Sequence, residues 1–154
     1  MSEELSIKAR NESGDLFKEG YNCAESVFLA FNKYLDDVDR DSMKMLTAFG
    51  RGVGGAGCMC GALVGSLSVI SLLTGRTEND MEQRDKCYDY AREFHDVFKA
   101  EYKTTCCRAL NQFDFKSKEH RINCLKITGK SGKLLMDYLQ EKELIEMELI
   151  EMEA

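Results

Sequence analysis

Apolar residues recur along this chain at helical spacing, and nowhere in the strict alternation that marks a half-buried strand. Leu5, Ala9, Leu16 and Phe17 form the first stripe, which predicts a helix from about Glu3 to Lys18 ended by Gly20. Asn22-Cys23-Ala24-Glu25 then reads as an N-cap with glutamate at N3, a relative of the capping box. The helix it opens carries Ala24, Val27, Phe28, Phe31 and Leu35 on one side. An Asp-rich break covers 36–42, and a short helix is expected from Met43 to Phe49, ahead of a glycine loop. A charge-free helix follows from Gly61 to Leu73, closed by Thr74-Gly75 with glycine at the C-terminal cap. Thr77 and Asp80 open a long helix to about Tyr102 whose inner face would be Cys87, Tyr90, Ala91, Phe94, Val97 and Phe98. Thr104 or Thr105 is the expected cap of a short helix holding Cys106, Cys107 and Leu110, and Ser117 and Ser131 are the expected caps of the last two helices. The expected fold is therefore all-α: one bundle of about five to seven helices around a buried, glycine-rich central helix.

Composition agrees with that pattern and narrows the function. A chain of 154 residues has the size of one domain, and it contains no Pro, the residue that most strongly interrupts helices. Its net charge is −6, but residues 141–154 hold six Glu and one Lys, so the first 140 residues are almost neutral. We therefore divide the chain into a cysteine-bearing helical domain, 1–140, and an acidic helical extension, 141–154, in which the pentad ELIEM occurs twice. Without a basic stripe to neutralise phosphates, nucleic acid is not an expected partner. The start, Met1-Ser2-Glu3-Glu4, lacks the basic and apolar regions of a secretory signal, and the expected location is the cytoplasm. No charge occurs from Gly52 to Gly75, yet only about thirteen of these residues are helix-like, which suits a buried core helix and not a membrane span.

The chemistry lies in seven cysteines. In a reducing compartment so many thiols point to redox or metal chemistry more than to structural disulfides. Cys23 falls at the first position of its helix, where free backbone N–H groups and the helix dipole favour a thiolate. Cys60 opens the central helix after the glycine loop, and Cys106 and Cys107 start a short helix. Cys124 follows an Asn, as Cys23 does, with its place in its helix left open. Cys87 reads as a small core hydrophobe, and Cys58 as either a second ligand beside Cys60 or an accident of sequence. Gly54, Gly55, Gly57 and Gly61 are candidates for letting backbone approach a bound group closely. No Cys-x-x-Cys is present, which removes the thioredoxin motif, the usual zinc knuckle and c-type haem. His95 reads as a partly buried helix residue and His120 as a surface residue.

GYNCAESV at 20–27, the glycine loop followed by CGALVG at 60–65, CRAL at 107–110 and Cys124 together resemble the redox-active protein family with a CGAxxG motif and four spaced cysteines, C_GCAxxG_C_C. The resemblance covers roughly 14–140 and implies that Cys23, Cys60, Cys107 and Cys124 are the family cysteines, with Cys58, Cys87 and Cys106 as extras. Such a set would converge on one site and serve either in thiol–disulfide exchange or as ligands of an iron–sulfur cluster or other metal. The alternative outside redox chemistry is a four-cysteine zinc site that holds the bundle together or stores metal. A redox partner protein and a homodimer are the expected associations.

Overall fold

A computed structural model describes residues 2–36 and 38–145. Its five long helices are α1 (Glu3–Glu19), α2 (Cys23–Phe31), α5 (Gly61–Thr74), α6 (Met81–Tyr102) and α8 (Lys118–Glu141). Single turns α3 (Lys44–Thr47), α4 (Gly50–Val53) and α7 (Cys107–Leu110) lie between them, with 3₁₀ turns at Asn32–Tyr34 and Arg40–Met43. Among the described residues the only β pairing is an isolated bridge between Met59 and Cys106, and the fold is all-α as expected.

The caps explain where the long helices begin. Ser2, Asn22, Asp80 and Ser117 each accept a hydrogen bond from a backbone N–H of the first turn they precede, at 3.2, 2.8, 3.0 and 3.1 Å. Gly20 ends α1 at φ 121°, a conformation open to glycine and strained for other residues. Three capping expectations fail for local reasons. Asp80, not Thr77, caps α6. Thr104 accepts from the N–H of Cys106 at 3.1 Å without serving as the N-cap of α7, which is Cys106 itself. Ser131 caps nothing: its hydroxyl donates back to the Ile127 carbonyl at 2.7 Å, a bond that lets serine sit inside a helix, so the two last helices expected are the single α8.

The charge-free α5 lies at the centre, packed against α2, α6 and α8. It buries Gly61, Ala62, Leu63, Gly65, Ser66, Val69 and Ile70. A Cβ added to Gly65 would lie 2.5 Å from the Ala24 carbonyl oxygen, so α2 and α5 touch backbone to backbone there. α6 turns a narrower face inward than its sequence suggests: Phe94 and Phe98 are fully buried, whereas Val97 is exposed and Cys87 only half-buried. α1 and α8 run antiparallel along a second seam of small residues. Ser2 bonds Gln140 at one end, and Gly132 packs against Ala9 and Ser13 further down. After α8 stops at Glu141 the chain turns so that Leu144 packs on the core and Ile145 is buried. The rest of the acidic extension, from 146 on, lies outside the described residues. No described helix is long and apolar enough to cross a membrane.

These contacts separate glycines that must be glycine from one that need not be. Gly65→Ala should destabilise the protein by about 1–3 kcal/mol, since its methyl group would meet backbone. Gly14→Ala, whose methyl would lie 3.5 Å from Leu125, should be neutral or stabilising by up to about 1 kcal/mol through helix propensity. Urea denaturation of the two variants measures both, and equal behaviour would refute the close α2–α5 approach.

Candidate functional site

The start of α2 is held from two sides. Asn22 and Glu25 form a complete capping box, with reciprocal side chain-to-backbone bonds of 2.8 and 3.0 Å. Thr47 then donates to the second Glu25 carboxylate oxygen at 2.8 Å, and its carbonyl accepts from the Asn22 amide at 3.0 Å, tying α3 to the cap. In α4 the chain passes through three consecutive left-handed residues, Arg51, Gly52 and Val53, at φ 55°, 63° and 67°. For Arg51 and Val53 this conformation costs roughly 1–2 kcal/mol each. Gly52 has no alternative, because a Cβ there would lie 2.6 Å from the Cys107 Cβ.

The end of the glycine loop is laced to the segment before α7. Cys60 N–H donates to the Thr105 carbonyl at 2.8 Å, Cys107 N–H to the Cys58 carbonyl at 2.5 Å, and Arg108 N–H to the Gly57 carbonyl at 3.2 Å. This short antiparallel connection puts the starts of α5 and α7 side by side, and with them Cys60 and Cys107. Gly61 then lets Cys23 in: an added Cβ would collide with the Cys23 sulfur. Cys124 comes from α8, and all four sulfur-bearing residues line one cavity of about 20 Å³, room for about one water.

The remaining candidates lie elsewhere. Cys58 is exposed and contributes its backbone to the loop connection, and half-buried Cys106 donates its thiol to the Gly57 carbonyl at 3.2 Å. Cys87 lies on α6 away from the cavity lining. Of the candidate glycines, only Gly61 lines the cavity. Gly57 lies beneath the Arg108 side chain, an added Cβ on Gly54 would come no nearer than 3.8 Å to the Ala48 carbonyl oxygen, and one on Gly55 would meet nothing within 4 Å.

The four thiols are electrostatically unequal. Cys124 donates a hydrogen bond to the Cys23 sulfur, which outweighs the burial penalty on a Cys23 thiolate. The N–H groups of Arg51, Ala24 and Cys23 itself add to the effect, and Cys23 is drawn down to about 7. Cys124 moves the opposite way, upward, because its proton is held by the Cys23 sulfur and because it is buried. Burial, with the neighbouring Cys23 charge second, pushes Cys60 up to about 12 and Cys107 up to about 11. Of the four, Cys23 is therefore the thiol most readily ionised, and the other three favour the neutral form.

A cleft of about 460 Å³ opens on the Cys23–Cys124 side of this cluster, with Arg51, His120 and Arg121 among its walls. His120 is not the surface residue its sequence suggests. It is 5% exposed, packs edge-on to Phe115 with ring centres 5.1 Å apart, and leaves Nε2 buried without a partner among the described residues. Burial and then the nearby Arg51 and Arg108 charges lower its pKa and favour the neutral ring. One signal was present in the sequence: His120 precedes Cys124 by four positions, so any helix through both puts them on one face. Asn111, also missed, donates to the His120 carbonyl at 2.9 Å and walls the small cavity.

In this arrangement the residues do not fit a metal centre. Among the described residues no three His, Cys, Asp or Glu side chains are grouped to hold one ion. The space between the sulfurs is also far too small for an iron–sulfur cluster. What the geometry presents is a helical scaffold around one activated thiol and its hydrogen-bonded partner, the makings of a redox-active protein. The chain matches the model of the family described as "Putative redox-active protein (C_GCAxxG_C_C)" over residues 21–138, and it belongs to that family. It is also similar to an uncharacterized protein of Archaeoglobus fulgidus, with 28% identity over 88% of this chain and 96% of the relative. No solved structure matches.

The hydrogen bond from Cys124 makes a titration prediction. Because the donor stabilises the charged form, Cys124→Ala should raise the Cys23 pKa from about 7 toward the ordinary cysteine range near ~8.5. The pH dependence of Cys23 alkylation, followed peptide by peptide in a mass spectrometer, measures it. An unchanged or lower midpoint in the variant would show that Cys124 does not donate.

Proposed function

We propose that the protein is a thiol–disulfide redox protein in which Cys23 and Cys124 alternate between dithiol and disulfide. The observation that carries this reading is that Cys23 and Cys124, alone among the seven cysteines, line both the small cavity and the open cleft beside it. A nucleophile needs to be a thiolate near neutral pH, and a resolving thiol needs to be in contact with it. Cys23 meets the first condition and Cys124 the second.

The reaction follows from these roles. The Cys23 thiolate attacks one sulfur of an incoming disulfide RSSR; the substrate S–S bond breaks, and the first RS⁻ leaves carrying the bond's electron pair. Once Cys23 is in a mixed disulfide it no longer holds the Cys124 proton, which passes to the departing thiolate. Cys124 then attacks the Cys23 sulfur, the Cys23–SR bond breaks, and the second RS⁻ leaves. Two electrons have moved from the protein dithiol to the substrate, which ends as RSH and RS⁻. An external small dithiol, or a partner protein whose cysteines sit on a protruding loop that can enter the cleft, runs the same steps in reverse to restore the pair, and a reducing cytoplasm would supply one. Cys60 and Cys107, kept protonated by burial, are poor nucleophiles.

Equilibration against a graded dithiol–disulfide buffer, followed by alkylation and mapping of the disulfides, tests the reading. The expected product is a Cys23–Cys124 disulfide that is lost in Cys23→Ser and retained in Cys87→Ser. Oxidation confined to Cys58, Cys106 or Cys87 would refute it. So would stoichiometric zinc or iron in protein purified without chelator, with Cys23 unreactive until the metal is removed.

A further inference from the structure

The cleft above Cys23 and Cys124 carries a charge pattern opposite to that of the molecule. The chain as a whole is at −6, yet Arg51, Lys116 and Arg121 line the cleft and no Asp or Glu does. None of these three side chains forms an ion pair with a carboxylate among the described residues. Asp114 is close in sequence, but its carboxylate accepts the backbone N–H of Lys116 at 2.8 Å. The Arg51 guanidinium is steadied by Phe115, its central carbon 6.0 Å from the ring centre, while Arg108 lies over the same ring at 4.4 Å. His120, 5% exposed, also lines the cleft, and its Nε2 has no partner among the described residues. Three unpaired cations and a buried, unpartnered ring nitrogen around one concavity are unusual in an acidic protein, where carboxylates are plentiful. They are understandable if a ligand supplies the missing negative charge.

The rest of the geometry says what kind of ligand. A volume of about 460 Å³ is in the range of small-molecule sites, roughly 300–1,000 Å³. Cys23, at 5% exposed, lies too deep for a flat protein surface to bring a disulfide to it. Taking the thiol–disulfide reading as given, we propose that the substrate is a low-molecular-weight disulfide, or the corresponding thiol, bearing carboxylate or other anionic groups, held by Arg51, Lys116 and Arg121 with a sulfur against Cys23. Fixed cations at the mouth of a cleft raise the local concentration of an anionic substrate and steer its approach. Guanidinium groups add paired N–H donors that match a carboxylate.

Three matched probes test this: dithiodiglycolate, a dianion; 2-hydroxyethyl disulfide, neutral; and cystamine, a dication. Each rate of Cys23–Cys124 oxidation in the whole protein is divided by the rate at which the same probe oxidises a small free dithiol, which removes intrinsic reactivity. The expected order is dianion, neutral, dication, with about tenfold or more between the first two at low salt, shrinking toward unity near about 1 M salt. Arg51→Gln with Arg121→Gln should bring that ratio close to one, while Lys86→Gln with Lys99→Gln on α6, an equal loss of charge outside the cleft lining, should preserve it. Equal normalised rates for the three probes would overturn the anionic substrate and leave the thiol reading standing. A dianion preference unmoved by the Arg51 and Arg121 changes would overturn the assignment to this cleft. Failure of every probe to oxidise Cys23 and Cys124 would instead overturn the thiol–disulfide reading.

Discussion

Where α2 crosses α5 there is room for hydrogen atoms and nothing larger. Gly65 meets the Ala24 backbone and Gly61 meets the Cys23 sulfur, so neither position of α5 has room for a side chain of its own. Helices that approach this closely lock each other's rotation, because no side chain between them can adapt by changing rotamer. The sulfur at the first position of α2 and the sulfur just before α5 thereby acquire fixed places in a single cavity. Everything else in the site is added to that contact. The capping box holds the first turn of α2, the loop connection brings in α7, and α8 closes the open side.

Crowding four thiols into a space with room for about one water makes them compete for a single negative charge. Each thiolate raises the cost of the next, and burial raises the cost of all of them. The competition is decided by hydrogen bonds: Cys23 collects one from Cys124 and others from backbone N–H groups, while Cys60 and Cys107 have weaker support against the same desolvation. The left-handed turn at Arg51 belongs to this outcome, since it aims the Arg51 N–H at the Cys23 sulfur. Local backbone strain of this kind persists only where surrounding contacts hold it, and Gly52 against Cys107 is such a contact.

The helices were readable in the sequence because their signals are local. Asn22 and Glu25 are three positions apart, and the apolar stripe from Ala24 to Phe31 obeys the helical period. Cys23, Cys60 and the Cys106–Cys107 pair could be chosen as helix-start sulfurs on the same grounds, and the family resemblance selected Cys107 from the pair and added Cys124. Ser131 misled because serine hydroxyls bond carbonyls inside helices as readily as N–H groups at their starts. Val97 misled because α6 is covered over a narrower arc than its apolar residues span. The walls of the cleft were out of reach for a deeper reason. Arg51 lies far along the chain from His120 and Arg121, and nothing in their neighbours announces that they meet.

The pairing of α1 with α8 joins Ser2 to Gln140, residues 138 positions apart, and so it is among the later contacts a growing polypeptide can make. α8 also carries Cys124. While the ribosome has delivered only the first hundred or so residues, Cys23 lacks Cys124 beside it and the cleft above it, and has at most its backbone N–H donors. The largest contribution to its acidity arrives with α8. A protein rich in cysteine thus keeps its most nucleophilic sulfur quiet through most of its synthesis, when mispairing would be easiest, and arms it only once the bundle has shut around it.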